Sequence, residues 1–172
     1  MKKKSSSLVI VVVAVIVAVL AFTLPKLMSQ NEEAVSAEAG EKDVQNLSES
    51  EDLVIPLDKV TNNVIFYAVD VDGTEMEVMA VRDSSGNIRT AFNTCQVCYS
   101  SGRGYYQQEG NDLVCQNCGN SFTTDQVGLE SGGCNPVPIM DNDRKITDTS
   151  ITISYDFLKN YKEIFAQWKT GF

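Results

Sequence analysis

Two short cysteine pairs constrain this chain more than any other feature. Cys95-Gln96-Val97-Cys98 and Cys115-Gln116-Asn117-Cys118 give Cys-x2-Cys, sixteen intervening residues, and Cys-x2-Cys again. Two cysteines three positions apart both point inward from one tight turn, so the pairs build two opposed thiolate hairpins around one metal centre. Gly119, directly after Cys118, relaxes the backbone where amides approach thiolate sulfur. The chain has no histidine, which removes Ser-His-Asp and Cys-His catalysis and every imidazole ligand. Four thiolates suit one zinc or iron ion or a cluster, and soft Cu(I) accepts three. Paired disulfides compete in an exported chain, although five cysteines cannot all pair within one chain and disulfides give no reason for matched hairpins. Thiol-disulfide exchange is the third reading; it wants a single Cys-x2-Cys at a helix start within a parallel sheet.

Cys134 lies in Ser131-Gly132-Gly133-Cys134-Asn135-Pro136-Val137-Pro138-Ile139, where two glycines and two prolines allow a sharp, stiff excursion. From there it approaches the site from a third direction, as a further ligand or as a buried free thiol. Tyr99, Tyr105, Tyr106 and Phe122 surround the cysteines in sequence and are expected to shield the centre from water. No paired carboxylates in a recognisable motif and no phosphate-binding glycine loop occur, so a binding or electron-transfer protein is expected rather than an enzyme. Asp70-Val71-Asp72 and Asp141-Asn142-Asp143 are solvated turn residues, the latter lacking the ligand count of a calcium loop. A net charge of -9 argues against nucleic acid, whose phosphates need clustered Lys and Arg.

The amino terminus addresses a membrane. Lys2, Lys3 and Lys4 precede an apolar run at residues 8–24, whose 17 residues reach about 26 Å as a helix, near the thickness of a thin hydrocarbon core. The lysines stay inside by the positive-inside rule, so residues 1–28 are expected to form an uncleaved signal anchor with the rest of the chain outside the cell membrane. The alternative is a signal peptide cleaved at Val35-Ser36-Ala37, far beyond the apolar run. No cysteine follows the run to carry a lipid, and no Arg pair precedes it. Residues 29–54 carry eight acids up to Asp52 against Lys42, a composition that cannot bury a core and is expected to form a flexible, self-repelling tether.

Residues 55–172 are expected to be a small, mainly β domain with a C-terminal helix. Period-two patterning marks strands at 64–71 and 75–82 around the hairpin dipeptide Asp72-Gly73. Further strands are expected at 88–93, 104–108, 113–115 and 150–154. Asp156 is expected to cap a helix in which Phe157, Tyr161, Ile164, Phe165 and Trp168 share the core face.

The order of strands leading to Cys95, then Leu113-Val114-Cys115-Gln116-Asn117-Cys118-Gly119-Asn120-Ser121-Phe122 and a Gly-rich, Pro-containing loop, resembles the Rieske arrangement. There each hairpin carries one Cys and one His; here Cys118 stands where the second His would be, with Gly119 and Phe122 in step. The resemblance implies a Rieske-like or ribbon-like fold without histidine ligation, raised potential or histidine-linked pH dependence. Arg89-Thr90-Ala91-Phe92-Asn93, Cys95 to Tyr99, Gly102-x-Gly104-Tyr105, Cys115 to Phe122 and Gly132-Gly133-Cys134-Asn135-Pro136 are similar to the FtrD-like family of membrane iron-sulfur proteins, over roughly residues 55–165. That resemblance implies an iron-sulfur cluster, of which 2Fe-2S is one form, in a protein linked to iron or other metal transport and to a membrane transporter or redox partner. Cluster proteins that fold before export normally use the twin-arginine route, and this terminus has lysines only. A single Zn, Fe or Cu ion therefore remains the alternative cofactor, and a structural-zinc or copper-binding chaperone or sensor remains beside thiol-disulfide exchange as an alternative function.

Overall fold

The computed structural model describes residues 41–45, 47, 50–129 and 131–171. The apolar run at 8–24, and with it the expected spanning helix and its orientation, lies outside the described residues. Among the described residues no helix is long and apolar enough to cross a membrane.

The centre is a five-stranded sheet in the order β1-β3-β4-β5-β9, from β1 (Glu41–Gln45), β3 (Ile65–Val71), β4 (Thr74–Arg82), β5 (Ile88–Cys95) and β9 (Pro136–Pro138). β1 pairs parallel with β3, and the other pairings in this sheet are antiparallel. The β3–β4 hairpin turns at Asp72-Gly73 with φ of 50° and 76°, the double left-handed geometry of a two-residue turn whose twist matches the strands. Tyr155 donates its hydroxyl to Asp72 Oδ1 at 2.6 Å and Lys159 pairs with Asp72 Oδ2 at 2.9 Å, clasping this turn to the C-terminal segment. A second antiparallel sheet, β10 (Lys145–Ile146), β11 (Ser150–Ile153) and β2 (Leu53–Pro56), and a third, β6 (Tyr106–Glu109), β7 (Asp112–Cys115) and β8 (Ser121–Thr123), complete the strands among the described residues.

Alternation along the central strands sorts the core into two layers. Ile65, Tyr67 and Val69 of β3, Met76, Val78 and Ala80 of β4, and Phe92 of β5 meet β2, β11 and the C-terminal aromatics. Phe66, Met79, Val81, Ala91 and Cys95 face the other way, onto Tyr106, Leu113, Cys115 and Phe122. The central sheet is thus covered on both faces, which is why Val78 to Val81 are all fully buried rather than alternating with exposed residues. Cys95 falls on the cysteine side because it lies in step with Ala91.

Two expectations are corrected. The helix α1 (Tyr155–Asn160) is capped by Ser154, whose Oγ accepts from the Phe157 amide at 3.3 Å; Asp156 sits in the first turn instead. The chain then tightens into a 3-10 turn at Lys162–Phe165, so the expected face is assembled from two short pieces. Phe92 gathers it, with ring centroids 5.9 Å from Phe157, 4.9 Å from Tyr161 and 5.8 Å from Phe165. Within the stretch expected as a tether, Glu41–Gln45 forms β1 and Leu53 is fully buried in β2. β1 is an edge strand, so backbone bonds to β3 hold it without any demand for apolar side chains.

Candidate metal centre

Three loops meet at one end of the third sheet. In the first, Cys95 closes β5, the Cys98 amide donates to Cys95 Sγ at 3.4 Å, and the Cys95 amide donates to the Gly104 carbonyl at 2.6 Å. A Cβ at position 104 would overlap the Cys98 carbonyl, so the returning chain lies against the loop only because Gly104 has none. In the second, the Cys115 amide donates to Asn120 O and the Gly119 amide to Cys115 O, both at 2.9 Å. Gly119 has φ of 72° and open space where a Cβ would stand; glycine is needed there for the left-handed backbone, not for room. The two loops are tied by the Tyr106–Cys115 pairing and by the Gln116 amide, which donates to Tyr105 O at 2.8 Å.

The third loop carries Cys134 and is latched from both sides. Gln96, inside the first Cys-x2-Cys, accepts from the Gly132 amide at 2.6 Å through Oε1 and donates to Pro136 O at 3.0 Å through Nε2. Its amide donates to Asn135 O, also at 3.0 Å. From the other side Tyr106 donates its hydroxyl to Cys134 O at 2.8 Å and Asn120 donates to the same carbonyl at 3.4 Å.

The five sulfurs form two overlapping triads: Cys95, Cys98 and Cys115, and Cys98, Cys118 and Cys134, each with its sulfurs within 4.8 Å of one another. Cys95, Cys98 and Cys115 are buried, Cys134 is half-buried and Cys118 exposed. Burial pushes the Cys115 thiol up to about 12 and also raises Cys98. Hydrogen bonding with Cys118 takes Cys134 to about 12. Burial also acts to raise Cys95, but the Tyr106 hydroxyl and the amides of Cys98 and Val97 outweigh it and lower the thiol. Cys118 is lowered by the Asn120 amide. Five thiolates so close together repel one another, and a bound cation offsets that repulsion. Soft donors in this number, with amides directed at sulfur, fit a thiophilic ion or an iron-sulfur cluster.

The structure therefore brings together all five cysteines singled out in the sequence. Of the four aromatics expected to shield them, Tyr106 and Phe122 do so, packed edge-on at 5.0 Å in the cysteine-side core. Tyr105 packs instead on Trp168 at 6.4 Å in the opposite layer, and Tyr99 is 41% exposed. Sequence reasoning missed the brace beneath the site. Buried Asn93 donates to Glu77 Oε2 at 2.6 Å and to Tyr106 O at 3.2 Å, and accepts from the Tyr106 amide at 2.7 Å. Trp168 donates its indole N–H to Asn93 O at 2.7 Å. An amide side chain two positions before Cys95, in a strand whose last six residues are all buried, braces the site, and polar neighbours Arg89, Thr90 and Thr94 hid it in the sequence.

No curated protein and no solved structure matches the chain. Residues 60–165, most of the described fold and all five cysteines, match the family described as membrane iron-sulfur containing protein FtrD-like. With that span and a thiol cluster suited to metal, the chain belongs to the FtrD-like family of membrane iron-sulfur proteins.

Proposed function

We propose that this protein is a membrane-anchored, extracytoplasmic electron carrier that binds an iron-sulfur cluster, 2Fe-2S in form, and serves an iron or metal transport system through a membrane transporter or redox partner. The observation that carries this reading is the convergence of five thiols, three of them buried, in a chain of the FtrD-like family. Cys95, Cys98, Cys115 and Cys118 would hold the group, and it would supply one-electron transfer when bound. The chain's own part is to exclude water with Tyr106 and Phe122, to direct amides at sulfur, and to leave an exposed edge at Cys118 for electron exchange. Two cysteine loops at the end of a three-stranded antiparallel sheet also support the Rieske-like comparison. All-thiolate ligation favours a potential nearer about -400 mV than that of histidine-ligated centres. The amino-terminal lysines and the apolar run support an inside-to-outside anchor.

Iron and acid-labile sulfide analysis of the purified full chain, with visible spectra before and after reduction, tests the proposal. Equal iron and sulfide with a bleachable visible spectrum is the expected result. A colourless protein holding one zinc and showing no redox wave would contradict it. Protease added to spheroplasts should remove the cysteine domain, and its protection would contradict the orientation.

A further inference from the structure

We propose that Cys134 is a reserve ligand for the position that Cys118 holds, a fifth thiol kept beside the exposed corner of the site that takes this corner when the Cys118 sulfur is lost. The inference rests on the iron-sulfur reading above, in which Cys95, Cys98, Cys115 and Cys118 hold the group, and it gives the fifth cysteine a part that this set of four leaves open.

The five thiols are unequal in exposure. Cys95, Cys98 and Cys115 are buried whereas Cys118 is exposed, so water and oxidants reach the site at Cys118 first. Cys134 is half-buried beside it, and the sulfurs of Cys98, Cys118 and Cys134 lie within 4.8 Å of one another. A metal–thiolate bond is about 2.3 Å long, so a sulfur at that separation reaches the same metal atom with little movement. The three loops, at 95–102, 115–122 and 131–136, contain no Asp or Glu, and the chain has no histidine. Neither a carboxylate nor an imidazole in them competes with a thiolate for that corner.

How the Cys134 loop is held separates a reserve from a standing ligand. A standing ligand is fixed by its own bond to the metal, but a thiol kept in waiting has to be fixed by protein contacts. Gln96 makes three hydrogen bonds to residues 132–136, and Tyr106 and Asn120 both donate to the Cys134 carbonyl. Gln96 and Asn120 belong to the two other cysteine loops, so Cys134 keeps its place whichever of the two sulfurs is bound. The Cys118 and Cys134 side chains are also hydrogen-bonded to each other. Exchange breaks the bond from the metal to Cys118 and forms one to Cys134, whose proton passes to the departing sulfur, or to solvent where position 118 carries none; no electron is gained or lost.

The test uses the full chain purified anaerobically in detergent, with iron, acid-labile sulfide and the visible spectrum as readouts. Cys134→Ala should keep the iron, sulfide and spectrum of the wild type but release iron to a chromogenic chelator at least tenfold faster, because a Cys118 corner that opens is no longer recaptured. Cys118→Ala should keep most of the iron, with sulfur alone in its first shell by X-ray absorption, and the double variant Cys118→Ala, Cys134→Ala should hold at least tenfold less. Loss of the group in Cys134→Ala, which would make Cys134 a standing ligand, equal iron in Cys118→Ala and the double variant, or wild-type release from Cys134→Ala would each overturn the proposal. Should Cys118→Ala misfold, the release rate of Cys134→Ala alone decides. A wild type without iron and sulfide overturns the iron-sulfur reading itself, whereas a loaded wild type beside any of those results overturns the reserve ligand alone.

Discussion

Replacing Asn93 by Ala should be among the most damaging changes outside the cysteines, although Asn93 touches no sulfur. Its side chain makes three hydrogen bonds, to Glu77 Oε2 and to both the amide and the carbonyl of Tyr106, where exposure is 1% for Asn93 and for Tyr106. A buried donor left unpaired costs about 1–3 kcal/mol, and a bond to a charged carboxylate contributes about 1.5–3 kcal/mol. The variant loses one of each, so about 2.5–6 kcal/mol is expected. With a urea dependence of about 1.5 kcal/mol/M, the unfolding midpoint should fall by about 2–4 M. The single tryptophan of the chain, Trp168, donates to the Asn93 carbonyl and so reports the same region by fluorescence. A loss below about 1 kcal/mol, in a variant whose dependence on urea is unchanged, would refute the idea that this network braces the cysteine loops.

Gly104→Ala should cost about 1–3 kcal/mol in stability through overlap with the Cys98 carbonyl and weaken metal binding at least tenfold by displacing the first loop; wild-type affinity in competition titrations would contradict this. Tyr106→Phe removes the hydroxyl that lowers Cys95 and holds the Cys134 carbonyl, so the potential of the bound group should become more negative; an unchanged potential in a redox titration would contradict the assignment. The Asp72 carboxyl is held down at about 2, first by the Tyr155 hydroxyl and then by Lys159. Its folded value lies below the ordinary unfolded one, so its stabilisation is fully present above about pH 4 and is lost as pH falls toward about 2. The stability difference between wild type and Asp72→Asn should therefore be flat above about pH 5 and shrink below about pH 4. A difference independent of pH across that range would show that the clasp does not depend on charge.

What could be read from the letters was whatever local chemistry specifies. Asp72-Gly73 sets a two-residue turn, so the β3–β4 hairpin was legible to within a residue at each end. The Cys-x2-Cys pairs announced their turns, and the Gly- and Pro-rich stretch around Cys134 announced an excursion toward them. What escaped depended on partners distant in sequence. β1 is polar and acidic and resembles a linker until β3 lies beside it. Pro136–Pro138 resembles a loop because proline cannot donate to a ladder, yet as the edge strand β9 it needs to pair on one side only. Gln96 and Asn120 were passed over because a side-chain latch onto a loop 36 or 14 residues away leaves no periodic trace. Ser154 and Asp156 are both good caps, and only the path of the chain out of β11 decides between them.

X-ray absorption at the edge of the metal bound to the purified full chain tests the central claim most directly, since it reads the ligand atoms themselves. Binding by the clustered cysteines predicts a first shell of sulfur alone, in a chain that has no histidine to add nitrogen. A first shell dominated by oxygen or nitrogen would place the metal elsewhere and contradict the account.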